Sequence, residues 1–281
     1  MFLRAMGGTE QAAQAIFSRL PNLKDKVSVS DPMNYKPILW MHQSFDQPSI
    51  QILSRTQSKF EKIVFVSQWQ MDKFIKYLNI DPSKCVVIGN GIDPLLEYNK
   101  PKDRINLFYS STPFRGLDVL IKVFKKLEMP NVYLHVFSGM GIYGRSDDGF
   151  TELYNIIKRV PNTRLYGPVV PSFLHNWISR YGHIMAYPNT WDETYCISAH
   201  EAMSAKALIV TTNLGALPET CPYAIFSDNI DYYETLLRST IYNYKTNPSD
   251  FESVLIEQKN FADNNNWDYR ATQWRELVQK L

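Results

Sequence analysis

The chain has 281 residues, and 30 Lys and Arg against 28 Asp and Glu leave a formal net charge of +2. That length gives one large domain or two modest ones, with enough apolar area for full cores. A hydrophobic content of 44% with 21% charged residues excludes a disordered or fibrous chain, and near-neutrality argues against a protein whose main task is to coat nucleic acid.

Only MFLRAM precedes Gly7, so the leading strand of a doubly wound domain is either vestigial or missing. A helix is expected over 9–20, strands at 27–30 and 38–42, and a helix over 47–59. A strand at 63–67, a helix over 68–78 and a strand at 85–89 follow. The polar stretch 94–104, which carries two prolines, reads as a linker closing a first domain of residues 1–93. A second series of strands then begins at 105–110, 132–137, 163–167, 183–188, 208–212 and 223–226. Helices are expected between them near 116–127, 150–159, 171–180, 197–205 and 230–244. Strands this apolar along their whole length suit parallel sheets covered by helices on both faces. Helical periodicity alone continues through 248–262, which ends the second domain (105–262). A last helix over 267–280 follows DNNN, with Asn266 as its cap and Trp267, Trp274 and Leu277 to bury.

Three cysteines, Cys85, Cys196 and Cys221, are far apart and odd in number, which fits a reducing compartment and supports neither a disulfide framework nor a zinc site. No apolar run reaches membrane-spanning length and the N-terminus lacks the plan of a signal peptide, so a soluble, cytoplasmic protein is expected. GMGIYG at 139–144 is a literal G-x-G-x-x-G, but RSDDG intervenes before any helix and no acidic residue ends the next strand; a dinucleotide cofactor is not expected. Gly139 keeps its interest as a glycine at a strand end, where a ligand can approach the backbone. His200-Glu201 is not a metalloprotease pair, because Ser204 stands where the second histidine belongs. D-x-D is absent, so no metal ligands are assigned.

The most informative stretch is WDETYCISAHEAMSAKALIVTTNLGALPE at 191–219. Glu193 precedes a helix start near Cys196 and Glu201 lies eight residues on, while the amides of Tyr195, Cys196 and Ile197 would point out of that start as an anion site. From spacing alone, an exposed cap at Glu193 and a solvated helix residue at Glu201 is the stronger reading.

The order of residues here resembles the E-x(7)-E signature of glycosyltransferase family 4, the retaining transferases of GT-B fold. GGTE at 7–10, WMHQ at 40–43, FVSQWQMDKF at 65–74, VIGNGID at 87–93, FRGLDVLIKVF at 114–124 and WDYRATQW at 267–274 resemble further family segments in the same order. The resemblance implies two Rossmann-like domains facing a central cleft, with the helix over 265–281 crossing back onto the first. It implies a metal-independent hexosyl transfer, with retention, from a nucleotide diphosphate sugar (GDP-mannose or a UDP-hexose) to a glycan, glycoprotein or lipid-linked acceptor. Glu193 would contact the donor sugar, Glu201 the ribose hydroxyls, and the start of the helix after Tyr195 the distal phosphate through the amides of Cys196 and Ile197. Arg115 would neutralise the leaving diphosphate, with Ser111 or Thr112 hydrogen-bonding to it in place of the family's second cation. His42 would bind the sugar near the reacting centre, and Gly7 and Gly8 would allow close backbone approach. The sequence departs from the family in three places. Ser110–Phe114 lacks the second cation before Arg115, Lys206 replaces a glycine, and Gln43 follows the histidine. A sugar-nucleotide epimerase of similar fold and a non-catalytic nucleotide-sugar-binding protein are the competing readings. Membrane contact has no positive sign, and oligomeric state is not legible.

Overall fold

The computed structural model describes residues 7–281, so the question of a leading strand before Gly7 lies outside the described residues. The first unit runs α1 (Gly8–Arg19), β1 (Val27–Val29), β2 (Ile38–Met41), α2 (Leu53–Thr56), β3 (Lys62–Phe65), α3 (Gln68–Leu78) and β4 (Cys85–Val87). Its four strands pair in parallel in the order β1-β2-β3-β4. Ser67 caps α3 by accepting from the Gln70 amide at 3.1 Å, and the Gln70 side chain returns to accept from the Val66 amide at 2.9 Å. This reciprocal cap is encoded by a Ser and a Gln three residues apart.

The expected helix over 47–59 is corrected: only α2 and a single 3-10 turn at Gln57–Lys59 form there. The run Asp46-Gln47-Pro48-Ser49 is rich in turn-forming residues, and the chain makes successive tight turns, Ile50 N to Gln47 O at 2.9 Å and Leu53 N to Ile50 O at 2.9 Å.

The second unit comprises β5 (Ile105–Ser110), α4 (Leu117–Leu127), β6 (Val132–Phe137), α5 (Thr151–Arg159), β7 (Thr163–Leu165), α6 (Pro171–Tyr181) and β8 (Ile184–Tyr187). It continues with α7 (Ile197–Ser204), β9 (Leu208–Thr212), α8 (Leu217–Thr220), β10 (Ile225–Ser227), α9 (Tyr233–Thr246) and α10 (Glu252–Asn264), and α11 (Trp267–Gln279) ends the chain. Its sheet is parallel, in the order β7-β6-β5-β8-β9-β10. That is the Rossmann order, whose switch point lies between β5 and β8, and ligands of such sheets bind beyond the strand ends at that point. The α4 side chains Leu117, Leu120, Ile121, Phe124 and Leu127 form one buried stripe against this sheet.

Residues 94–104 connect the units but are not free of the second. Leu95 is buried in the second unit's core and donates its amide to Ser204 Oγ at 2.8 Å, and Lys100 Nζ donates to the carbonyls of Ala205 and Lys206 at 2.7 and 2.9 Å. Lys206 occupies the left-handed region with φ of 51°, the conformation a glycine would take at this helix end, and pairs with Glu97 at 2.6 Å.

α11 returns to the first sheet. Asn266 caps it by accepting from the Tyr269 amide at 2.9 Å, and Trp267, Ala271 and Trp274 join Ala12, Ile16 and Trp40 in one core. The Trp274 and Trp40 rings meet edge to face with centroids 5.0 Å apart. Among the described residues, no helix is long and apolar enough to cross a membrane.

Candidate active site

The strand ends of both sheets face one cleft, and the chain crosses between units at its floor. His42 directly follows β2, and the loops after β5, β6 and β8 supply Ser111 and Arg115, Ser138 and Gly139, and Glu193. The inner part of the cleft encloses about 210 Å³ and is lined by Gly8, Ser111, Gly139, Tyr195, Cys196, Ile197 and Glu201 together with His42, Arg115 and Glu193. An outer part of about 1160 Å³ adjoins it and shares His42, Arg115 and Glu193 as its inner wall. Gly7 stands at the rim, where a Cβ would come within 3.0 Å of the Tyr143 ring.

Glu193 is only 4% exposed. Its Oε1 accepts from Arg115 Nη1 at 2.6 Å and from the Tyr187 hydroxyl. Burial disfavours the Arg115 charge, but the Glu193 carboxylate together with the nearby Tyr187, Tyr143 and Cys196 offsets this and holds the guanidinium pKa above its ordinary value. Two glycines make the arrangement possible. Gly116, at φ of 99°, lets the loop before α4 pass beneath β8, since a Cβ there would meet the Pro188 carbonyl oxygen at 1.9 Å. Gly215, at φ of 63°, would place a Cβ 2.4 Å from the backbone N and O of Glu193. The amide of Ala216 meanwhile donates to the Glu193 carbonyl at 2.7 Å. Gly215→Ala is therefore expected to displace Glu193 and to lower whatever turnover the cleft supports by at least about tenfold, with the fold retained by circular dichroism. Wild-type turnover in that variant would show that the loop position is not critical.

His42 is buried, with Nε2 3.2 Å from Asn90 Oδ1 and Nδ1 without a partner. Burial depresses its pKa to about 4, so its imidazole is neutral near pH 7. Glu201, on α7, pairs with His175 Nε2 at 2.8 Å rather than lying in solvent. Burial opposes the His175 charge, yet the adjacent Glu201 raises its pKa above the usual value.

α7 begins at Ile197, with Cys196 before it in the left-handed region at φ of 74°. The amides of Ile197 and Ser198 have no carbonyl ahead of them in the helix, and both residues line the cleft, while the Ala199 amide donates to the Cys196 carbonyl at 3.1 Å. Gly8, at the first turn of α1, approaches Ile197 so closely that a Cβ would sit 3.4 Å from its Cδ1. Two helix N-termini thus converge on the inner cleft. The Tyr195 side chain crosses to the first unit, where its hydroxyl donates to the Asn90 carbonyl at 2.7 Å. GMGIYG forms a 3-10 turn at Met140–Tyr143 rather than opening a helix. Gly139 packs where a Cβ would meet Pro168 Cδ at 2.6 Å.

The sequence reading did not single out Asn90, His175, Tyr187 or Arg270. Arg270, on α11, donates from Nε to the Asn90 carbonyl at 3.1 Å and from Nη2 to Asn265 Oδ1 at 2.6 Å, tying the cleft floor to the returning helix. Both Asn90 and Arg270 lie in segments whose resemblance was visible, and that was the available signal. Across the cleft, Thr194 Oγ1 donates to the His42 carbonyl at 2.9 Å. The Glu219 carboxylate accepts from the Gln68 and Trp69 amides at 2.7 and 2.9 Å, capping α3 from the other unit.

Buried polar atoms without a partner gather here: His42 Nδ1, Gln43 Oε1, Thr112 Oγ1, Arg115 Nε and Ser138 Oγ all belong to residues lining the cleft. Unmet hydrogen-bonding capacity at one place marks a surface that expects a polar ligand. Among the described residues, no three His, Cys, Asp or Glu side chains form a group that could hold a metal ion.

Burial also holds His135 and His183 at about 4 and His200 at about 3. These groups and His42 take up protons more readily when unfolded, so stability falls as pH drops from about 6.5 toward 4, each contributing up to about 1.4 kcal/mol per pH unit. His175 acts in the opposite sense: its contribution is present below the unfolded value and lost as pH rises through the folded one. A lower melting temperature at pH 5 than at pH 7.5 is the expected result, and an equal or higher one would contradict the buried neutral histidines.

No family model matches the chain, and no curated protein matches it. Solved structures do. A glycosyltransferase from Rickettsia africae superposes with a TM-score of 0.72 at 15% identity, covering 96% of this chain and 80% of that one. Anabaena HepE in complex with UDP-glucose gives 0.71 at 17% identity, covering 88% and 73%. A trehalose-6-phosphate synthase studied with bisubstrate glycomimetics for transfer with retention gives 0.69 at 13%, covering 87% and 68%. Parallel sheets around one cleft and these glycosyltransferase neighbours place the chain in the α/β class with the GT-B fold.

Proposed function

We propose that the protein is a metal-independent, retaining glycosyltransferase of family 4 that moves a hexose from a nucleotide diphosphate sugar to a hydroxyl. One observation carries this reading: the Arg115–Glu193 pair stands where the inner and outer clefts meet, one turn from an open helix N-terminus. Departure of a diphosphate places negative charge on an oxygen, and the effective catalyst is positive potential fixed there beforehand. Arg115 and the first-turn amides of α7 and α1 supply it, which answers the missing second cation without a metal.

Glu193 then serves the other half of the separated charge, the developing cation at the anomeric carbon. Its carboxylate is already engaged by Arg115 and the Tyr187 hydroxyl, which favours a positioning and electrostatic role over attack as a nucleophile. The acceptor hydroxyl approaches from the outer cleft on the face the leaving group vacates, and the departing phosphate takes its proton. Neutral His42 offers a ring nitrogen to sugar hydroxyls, and Glu201 is placed to exchange His175 for the ribose.

A UDP-hexose is the donor we favour, because the Anabaena neighbour was solved with UDP-glucose; GDP-mannose is its competitor. Calorimetric titration with UDP-glucose, UDP-galactose, UDP-N-acetylglucosamine, GDP-mannose and ADP-glucose, with and without EDTA, tests the reading. Micromolar binding of a UDP-sugar, indifferent to EDTA, is expected, followed by release of UDP and an anomerically retained product by NMR. Preference for GDP-mannose would change the donor, and an inverted product would end the assignment to family 4. Conversion of donor alone would make the protein an epimerase, and binding without turnover a sugar-nucleotide-binding protein.

A further inference from the structure

We infer that the acceptor is an uncharged oligosaccharide, one pyranose ring of which stacks on Trp191 in the outer cleft; the inference rests on the donor reading above. Three independent properties of that cleft point to it.

The first is size. At about 1160 Å³ the outer cleft exceeds the roughly 300–1,000 Å³ of typical small-ligand pockets, so it accommodates more than one sugar ring.

Charge is the second. The wall carries the carboxylates of Glu10, Asp46 and Asp192 in addition to Glu193. Facing them is Arg145, the other guanidinium, Arg115, being already paired with Glu193. A phosphorylated or carboxylated acceptor would enter a field of its own sign. The remaining polar lining is of amides and hydroxyls, such as Gln43, Gln47, Ser30 and Ser44. Buried atoms His42 Nδ1 and Gln43 Oε1 still lack partners. Such groups suit ring hydroxyls, which both donate and accept.

The third is the aromatic surface. Trp191 is 41% exposed although it lies two residues before a buried glutamate. It is held firmly: its amide donates to Asn189 Oδ1 at 3.0 Å, the Asn189 side-chain amide returns to its carbonyl, and Phe114 packs on its ring at 5.5 Å in an edge-to-face contact. A large apolar ring kept rigid and open to water beside a catalytic carboxylate has surface left to cover. The C–H face of a pyranose fits that plane. Tyr143, 40% exposed in the lining of the same cleft, offers a second ring.

The test uses the full chain with maltotriose, cellotriose, mannotriose and chitotriose as neutral probes, and glucose 6-phosphate and a polyprenyl-diphosphate sugar as charged ones. Binding is read by tryptophan fluorescence without donor, and transfer by product formation with the donor fixed by calorimetry. One neutral trisaccharide is expected to perturb the fluorescence and accept sugar, and Trp191→Ala to raise its KM at least about tenfold while UDP affinity stays within about twofold. Trp191→Phe should retain most of the affinity, separating stacking from loop collapse. Preferential use of a charged acceptor, an unchanged acceptor KM in Trp191→Ala, or no neutral probe bound at millimolar concentration would each overturn the inference. Binding of a neutral probe without any nucleotide-sugar binding would instead remove the donor reading and leave the oligosaccharide site standing.

Discussion

Glu193→Gln is expected to lower transfer by at least about a hundredfold while UDP binds as tightly as before or more tightly. Both halves of that result follow from the same contact. In the resting cleft the carboxylate holds Arg115 at 2.6 Å, so the guanidinium is shared between Glu193 and any incoming diphosphate. A neutral amide fills the same space and can accept from Tyr187, but it no longer competes for the positive charge. Ground-state affinity for the nucleotide is therefore maintained or raised. On the proposed mechanism, what disappears is the negative charge that would stabilise the anomeric cation, an interaction present only as the transition state forms. Turnover should fall with little change in donor KM, and isothermal titration with UDP separates the two effects. Near-normal turnover would remove Glu193 from the mechanism.

Arg115→Ala should be damaging twice over. Its loss takes away the side-chain cation assigned to the leaving group, for which a drop of about 10²–10³ in kcat is the usual scale when one preorganised charge-stabilising group is removed. It also strands the Glu193 carboxylate, 4% exposed, with only the Tyr187 hydroxyl beside it. Breaking a buried pair by removing one partner costs about 3–5 kcal/mol, and the partial exposure of Arg115 places this one toward the lower end. Denaturant unfolding should show that loss in Arg115→Ala, and the double variant with Glu193→Gln should recover much of it while remaining inactive. A double variant no more stable than Arg115→Ala alone would mean that the pair is not the source of the instability.

Most strands were legible because they are apolar along their length, as buried parallel strands must be, and their bounds shifted by only a residue or two. The failed helix over 47–59 shows how such reading goes wrong. Its apolar spacing is adequate, but Pro48 and the turn-forming residues around it compete locally and win. α8, four residues long, is too short for any periodicity to register. In the cleft, Glu193, Glu201, Arg115 and His42 stood out because a resemblance spanned the whole chain, and the fold brings all four to one surface. Their partners did not stand out. Arg270 meets Asn90 across 180 positions of sequence, and His175 meets Glu201 from a helix with no motif of its own. Such pairings are set by how two sheets face each other, a property distributed over both cores rather than written in any one segment. The paired state of Arg115 and Glu193 belongs to the same class: each residue was legible, but not that they would meet each other.

The cap that Glu219 places on α3 bears on how fast a ligand can enter and leave the cleft. The inner cleft is lined from both units, so a parting of the two sheets would open it further to the medium. Parting breaks the bonds to the Gln68 and Trp69 amides, and Glu219 is exposed, so ions in solution weaken its hold on that helix end. Arg115 and Glu193 are sheltered from those ions. Raising ionic strength should therefore quicken exchange of nucleotide with the medium while leaving the bond-breaking step nearly untouched, giving the protein a tempo set at its rim rather than at its reacting centre.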